Sequence, residues 1–244
     1  MNKVETDLNK IYDTFFNDLK IDVNTGIVNG SDKRFATKIA IGENYHQSKK
    51  KILFVSLDIG KDENFVEKNE NTFQDFQQRK ESITQQFPSN PHMAGVYGTT
   101  LYFLKDYYDN ESAWNLLESQ PNFFKEALNN NQEKMPKELL SNIALINFYN
   151  FVTIERKARS NGNDRFFIDE TKELQFLIDI INSVSPDVII IQSKSLKNYF
   201  KNKIKPNISD KIDLYCGYHP SVFGRGIKYR NPKKYIDNLL ESKL

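Results

Sequence analysis

The 244 residues carry 39% hydrophobic and 13% aromatic side chains, enough to bury a core without staples and too much for wholesale disorder. No apolar run approaches the roughly 20 residues of a membrane helix, the N-terminal MNKVETDLNK lacks a signal-peptide core, and the single Cys216 excludes an internal disulfide or a four-cysteine iron–sulfur cluster. Net charge is only +2, but residues 194–244 hold 12 Lys/Arg against 4 Asp/Glu, whereas residues 1–193 hold 22 against 28. A basic C-terminal fifth suits a phosphate-facing surface and equally a solvated lysine-rich one. The expectation is one soluble, cytoplasmic, monomeric domain over 1–244, with 1–44 as a helical extension.

Val4, Leu8, Ile11, Phe15 and Leu19 recur at steps of three or four and predict an amphipathic first helix. Turn residues from Asn24 to Asp32 lead to a short strand over Phe35–Ile41. Lys51–Leu57 is apolar on both faces, as a central parallel strand requires. Lys61–Pro91 is a charged insertion with 10 ionisable residues, able to carry a helix through Phe73, Phe76 and Arg79 or to act as a flap. Helices are expected over Gly98–Tyr107 and Ser112–Leu128, and a strand over Asn142–Phe148. Glu170–Ser183 places Leu174, Leu177, Ile178 and Ile181 on one helical face, and Ser185-Pro186 stops it. Asp187–Gln192 reads as a buried strand, Ser195–Lys201 as a helix, Lys211–Gly217 as the last core strand and Asn231–Leu244 as a closing helix. Strands alternating with helices predict a three-layer α/β/α sandwich around a largely parallel sheet of about four to five strands.

Three short motifs stand where predicted strands end: Ser56-Leu57-Asp58-Ile59-Gly60, Ala144-Leu145-Ile146-Asn147 and His219-Pro220-Ser221. They bring a carboxylate, a carboxamide and an imidazole to the carboxyl ends of strands, where open α/β sheets bind ligands. Each residue type also has a plain structural use: Asp turns a chain, Asn caps a helix, and His before Pro sits in a turn.

In this order the motifs resemble those of the uracil-DNA glycosylase superfamily, from about Lys51 to Pro220 with gaps. The resemblance implies a cofactor-free and metal-free hydrolase that flips a pyrimidine from DNA and cleaves its N-glycosidic bond. Asp58 would position water and steady the sugar cation, Asn147 would read the flipped base, and His219 would stabilise the departing anion. Ser56, Ser193, Lys194, Ser195 and Ser221 would contact DNA, with Val222 and Phe223 as wedge candidates and Arg225 supplying charge. Gly95-Val96-Tyr97-Gly98 resembles a family segment that follows the base-stacking residue, which makes His92 and Tyr97 stacking candidates. Arg156, Lys157, Arg159 and Arg165 are a further cluster able to approach DNA.

The chain departs from the family after its aspartate. Ile59-Gly60-Lys61 stands where uracil-specific members have Pro-Tyr-His, whose tyrosine excludes 5-methyl groups. Gly60 removes that barrier, so uracil, mismatched thymine and 5-modified pyrimidines are all candidate substrates, in repair or in defence against modified phage DNA. A catalytically silent DNA- or protein-binding module on the same fold is the alternative.

Overall fold

The computed structural model describes residues 3–35, 38–57, 82–88, 91–119, 128–153, 166–220 and 232–244. Asp58, Gly60, Ser221, Val222, Phe223, Arg225, residues 61–81 and 89–90 of the 61–91 insertion and the cluster from Arg156 to Arg165 lie outside the described residues.

The protein is mixed α/β. Among the described residues its main sheet has five strands: β2 (Ala40–Ile41), β3 (Ile52–Ser56), β4 (Ile143–Asn147), β6 (Val188–Ile191) and β7 (Asp213–Cys216), in the order β2-β4-β3-β6-β7. The last four in that order are mutually parallel, and β2 joins the β4 edge antiparallel. All five residues of β3 are buried, which is why its sequence shows a continuous apolar run rather than alternation.

Side chains nevertheless alternate between two separate apolar clusters, one on each face. Leu53, Val55, Ile146 and Ile191 join one cluster, together with helices α1 (Lys3–Leu19) and α4 (Glu170–Val184). Phe54, Leu145 and Ile190 join the other, with α2 (Pro91–Phe103), α3 (Glu111–Ser119) and α5 (Pro232–Leu240). The N-terminal helix is therefore part of the core: Tyr12, Phe15 and Phe16 pack with Phe35, Phe151 and Phe176.

Helix α4 shows why its ends were legible. Asp169 caps its N-terminus by accepting from Lys172 N at 3.1 Å, and Ser185 terminates it in the left-handed region (φ 47°) before Pro186. Four elements differ from expectation. The strand expected over Phe35–Ile41 is two strands in different sheets, because β1 (Lys33–Phe35) pairs with β5 (Phe151–Thr153) while β2 pairs with β4. Helix α2 starts at Pro91 and not at Gly98. It is buried continuously from Met93 to Leu101, so no polar face marks its period. It ends at Phe103, and the turns that follow pass through Tyr108 and Asp109, both left-handed (φ 59° and 58°).

The helix expected over Ser195–Lys201 is a longer irregular one, passing through 3₁₀, α and π turns from Lys194 to Asn207. The closing helix stops at Leu240, because Lys243 bridges to Tyr215 and Leu244 N donates to Leu214 O at 2.9 Å, along the outer edge of β7. Among the described residues no helix is long and apolar enough to cross a membrane.

Candidate active site at the carboxyl edge of the sheet

Strands β3, β4 and β6 end level with one another. Ser56 is the register partner of Asn147, Val55 is the partner of Ile191, and Gln192 N donates to Val55 O at 2.9 Å. Because side chains alternate along a strand, Ser56, Asn147 and Gln192 fall on the face of Phe54, Leu145 and Ile190. They form a row of three polar side chains, Asn147 then Ser56 then Gln192, exposed by only 2%, 2% and 0%. Within the row the Ser56 hydroxyl donates to Gln192 Oε1 at 2.7 Å. Pairing of β3 with β4 continues past the strands, with Phe148 N on Ser56 O and Tyr149 N on Leu57 O. Asp58 follows in sequence directly after this paired stretch.

Helix α2 lies on the same face and begins at Pro91, a favoured first helical residue. His92 in its first turn meets His219 beyond β7, ring centroids 4.6 Å apart and planes at 81°. His219 is exposed and His92 half-buried. Two residues 127 positions apart, both candidates from the sequence, thus share one edge.

The exits of β6 and β7 are knit together. Gly217 N donates to Ile191 O at 2.9 Å, the Cys216 thiol donates to Ser193 O at 3.3 Å, and Lys194 Nζ sits 3.9 Å from the Tyr218 ring centroid. Tyr218 O accepts from the Tyr235 hydroxyl at 3.1 Å, which ties this exit to α5. Burial pushes the Cys216 thiol up to about 11, with Lys197 and Lys194 opposing the shift, so the thiol stays protonated at neutral pH and is a poor nucleophile. Ser193 is half-buried, Lys194 and Ser195 are exposed, and the two serine hydroxyls lie 2.8 Å apart.

Two sequence assignments are corrected. Ser56, expected to contact DNA, instead donates its hydroxyl to Gln192 Oε1. Tyr97 does not offer a stacking face: it is fully buried in the core and its hydroxyl donates to Pro136 O at 2.7 Å. Of the two stacking candidates, only His92 lies at the edge. The basic C-terminal fifth is also partly neutralised, with Lys203 on Glu170, Lys233 on Glu118 and Lys243 on Asp213, while Lys194 is exposed beside Tyr218.

Gln192 was missed, although its signal is the one that marked Asn147. Each polar residue terminates a wholly apolar strand, as Ser56 also does. No group of three or more His, Cys, Asp or Glu side chains able to hold a metal occurs among the described residues. No protein-family model matches this chain, and no curated protein matches it.

Proposed function

We propose that the protein is a monofunctional DNA glycosylase that extrudes a pyrimidine nucleotide and hydrolyses its N-glycosidic bond. The observation that carries this reading is the level ending of β3 and β4, which sets Asn147 beside Ser56 two residues before Asp58, with His92 and His219 in contact at the same edge. Ser56, Asn147 and His219, far apart in sequence, thereby stand at the carboxyl ends of strands of one sheet. The strand order changes direction there, since β3 is flanked by β4 on one side and β6 on the other, and such switch points are where open α/β sheets bind ligands. The two apolar clusters, one on each sheet face, support a three-layer α/β/α arrangement.

In the proposed reaction the C1′–N1 bond breaks and its electron pair leaves with the base. The sugar becomes oxocarbenium-like, and the Asp58 carboxylate steadies that cation and takes the proton of the water that adds to C1′. The Asn147 amide offers a donor and an acceptor to the Watson–Crick edge, and its burial makes those hydrogen bonds count against water. The His219 imidazole donates to a base carbonyl oxygen as negative charge develops there. Lys194 and Ser195 supply a cation and a hydroxyl to the DNA backbone. The enzyme acts in the cytoplasm as a monomer and needs no cofactor. With Gly60 in place of a bulky residue, the pocket admits uracil and 5-substituted pyrimidines.

The test is incubation of the purified protein with oligonucleotides carrying uracil, mismatched thymine or 5-modified cytosine, followed by alkaline cleavage of abasic sites. Product that is lost in Asp58→Asn and His219→Ala supports the reading. Product that survives both substitutions unchanged overturns the mechanism, and no product on any substrate favours a binding module.

A further inference from the structure

At the carboxyl edge the Gln192 side chain is fully buried, its Oε1 accepts the Ser56 hydroxyl, and its Nε2 has no hydrogen-bond partner among the described residues. A buried amide nitrogen without an acceptor has lost its water and gained nothing in return. Exchanging the two amide atoms does not remove the cost: Nε2 would then face Ser56, and the carbonyl oxygen would be left without a donor. A deficit that neither orientation cures marks a group open to a partner beyond the described residues, such as a bound ligand.

The position of Gln192 says which partner. Across the sheet the strand exits run Asn147, Ser56, Gln192 and then Gly217, two residues before His219. Neighbouring strands are about 4.8 Å apart, so the Asn147 and Gln192 backbones stand roughly 10 Å apart on either side of β3. A pyrimidine read by Asn147 along its N3 side therefore extends toward the exits that carry Gln192 and His219. Gly217 adds no side chain between those two, and Gly217 N on Ile191 O holds the two exits together.

We infer that Gln192 is a second anion-stabilising donor, its Nε2–H directed at the same base carbonyl oxygen that the His219 imidazole contacts. This inference rests on the glycosylase reading and gives it a residue that the sequence motifs do not contain. The donor moves no proton. The base leaves with the electron pair of the broken bond, charge gathers on its carbonyl oxygen, and the anion is protonated by solvent after release. Ser56 fixes the amide through Oε1, so Nε2 is aimed before the substrate arrives and no reorganisation is needed as the charge appears. Its burial keeps water from competing for the donor.

The experiment compares wild type with Gln192→Met, which keeps side-chain length and removes the donor, in single-turnover release of uracil and of 5-fluorouracil from the same oligonucleotide. The expected result is a loss of about 100-fold in the rate of uracil release with DNA affinity within about 3-fold, as removal of one such donor gives elsewhere. The loss is expected to shrink at least 10-fold for 5-fluorouracil, whose more stable anion needs less help. A rate within 3-fold of wild type, or equal losses on the two bases, overturns the inference, because a merely structural role does not depend on the leaving group. If Gln192→Met does not fold, Ser56→Ala decides: it releases the amide and is expected to give a smaller loss with the same dependence on leaving group, and equal losses overturn the idea. If wild type releases no base at all, the glycosylase reading fails separately. Calorimetry with 5-nitrouracil, an anion at neutral pH, then tests the donor alone: binding weakened at least 10-fold in Gln192→Met supports it, and absent or unchanged binding overturns it.

Discussion

Phe15 of the first helix stacks on Phe176 of α4, with ring centroids 4.0 Å apart and planes 18° from parallel. The contact joins the two ends of the sequence-distant layer that covers one sheet face, inside a cluster that also holds Tyr12, Phe16 and Phe35. Phe15→Ala is expected to destabilise the fold by about 3–5 kcal/mol through lost burial and the cavity left behind. Urea denaturation measures it. A loss below about 1 kcal/mol would mean that the N-terminal helix is dispensable.

Glu173 is almost wholly buried in the first turns of α4 and accepts hydrogen bonds from Ile168 N at 2.6 Å and Asp169 N at 3.2 Å. Burial raises its carboxyl to about 8 from the ordinary 4.5, outweighing the two backbone donors that pull it down. The folded state thus holds a proton that the unfolded chain releases. The stability this provides is full below about pH 4.5, declines as pH rises, and is gone above about pH 8. Glu173→Gln removes the titration, so its stability is expected to fall less between pH 5 and pH 9 than that of wild type, by about 1–3 kcal/mol. Denaturation midpoints across that range measure the difference, and parallel profiles for the two proteins would contradict it.

Gly42 and Gly217 make a contrasting pair. A Cβ on Gly42 would collide with the backbone of Ser141, whereas the nearest atom to one on Gly217 is the Cδ1 end of Leu239, at 2.7 Å. Backbone cannot step aside as a side-chain methyl can. Gly42→Ala is expected to cost at least about 2 kcal/mol, and Gly217→Ala less than about 1 kcal/mol, because Leu239 changes rotamer. Thermal melting of the two variants side by side tests the order.

His92 touches His219 edge-to-face, and such ring contacts restrain orientation as well as contributing energy. His92→Ala is expected to lower single-turnover base release about 10-fold by freeing the His219 ring, and His92→Phe to recover part of the loss by restoring a ring edge. Equal activity in the two variants would remove the positioning role.

Lys194 stands exposed beside the Tyr218 ring at the site. Lys194→Ala is expected to weaken DNA binding similarly for all sequences and to reduce the slope of log affinity against log salt by about 1. Fluorescence anisotropy at several salt concentrations gives the slope, and an unchanged value would place the phosphate path elsewhere.

The parallel strands were readable because their apolar runs are short, bounded by turn residues and rich in β-branched side chains. Ile52–Ser56, Ile143–Asn147 and Val188–Ile191 all fall inside the spans expected of them. Helix α2 was misplaced for the converse reason: a helix buried all round carries no amphipathic signal, and its true start lay in a Pro that sequence reading assigned to the insertion. Ser56 and Tyr97 were misassigned because a motif gives residue type and spacing but not solvent access. Gln192 escaped notice because a polar residue after an apolar strand looks like the beginning of a loop. Only the register of three strands reveals that it stands in line with two others.

That register has a consequence for folding. Ser56, Asn147 and Gln192 share a face only because β4, β3 and β6 are in step, and a slip of one residue in any strand would turn its polar terminus into the apolar cluster of Val55, Ile146 and Ile191. Each misplaced amide or hydroxyl would be stripped of its partners in that cluster, at a cost of about 1–3 kcal/mol. The three polar side chains therefore act as a gauge of strand alignment: a sheet assembled out of step is penalised at the edge where the chemistry is proposed to occur, so that correct folding and assembly of the site become one selection.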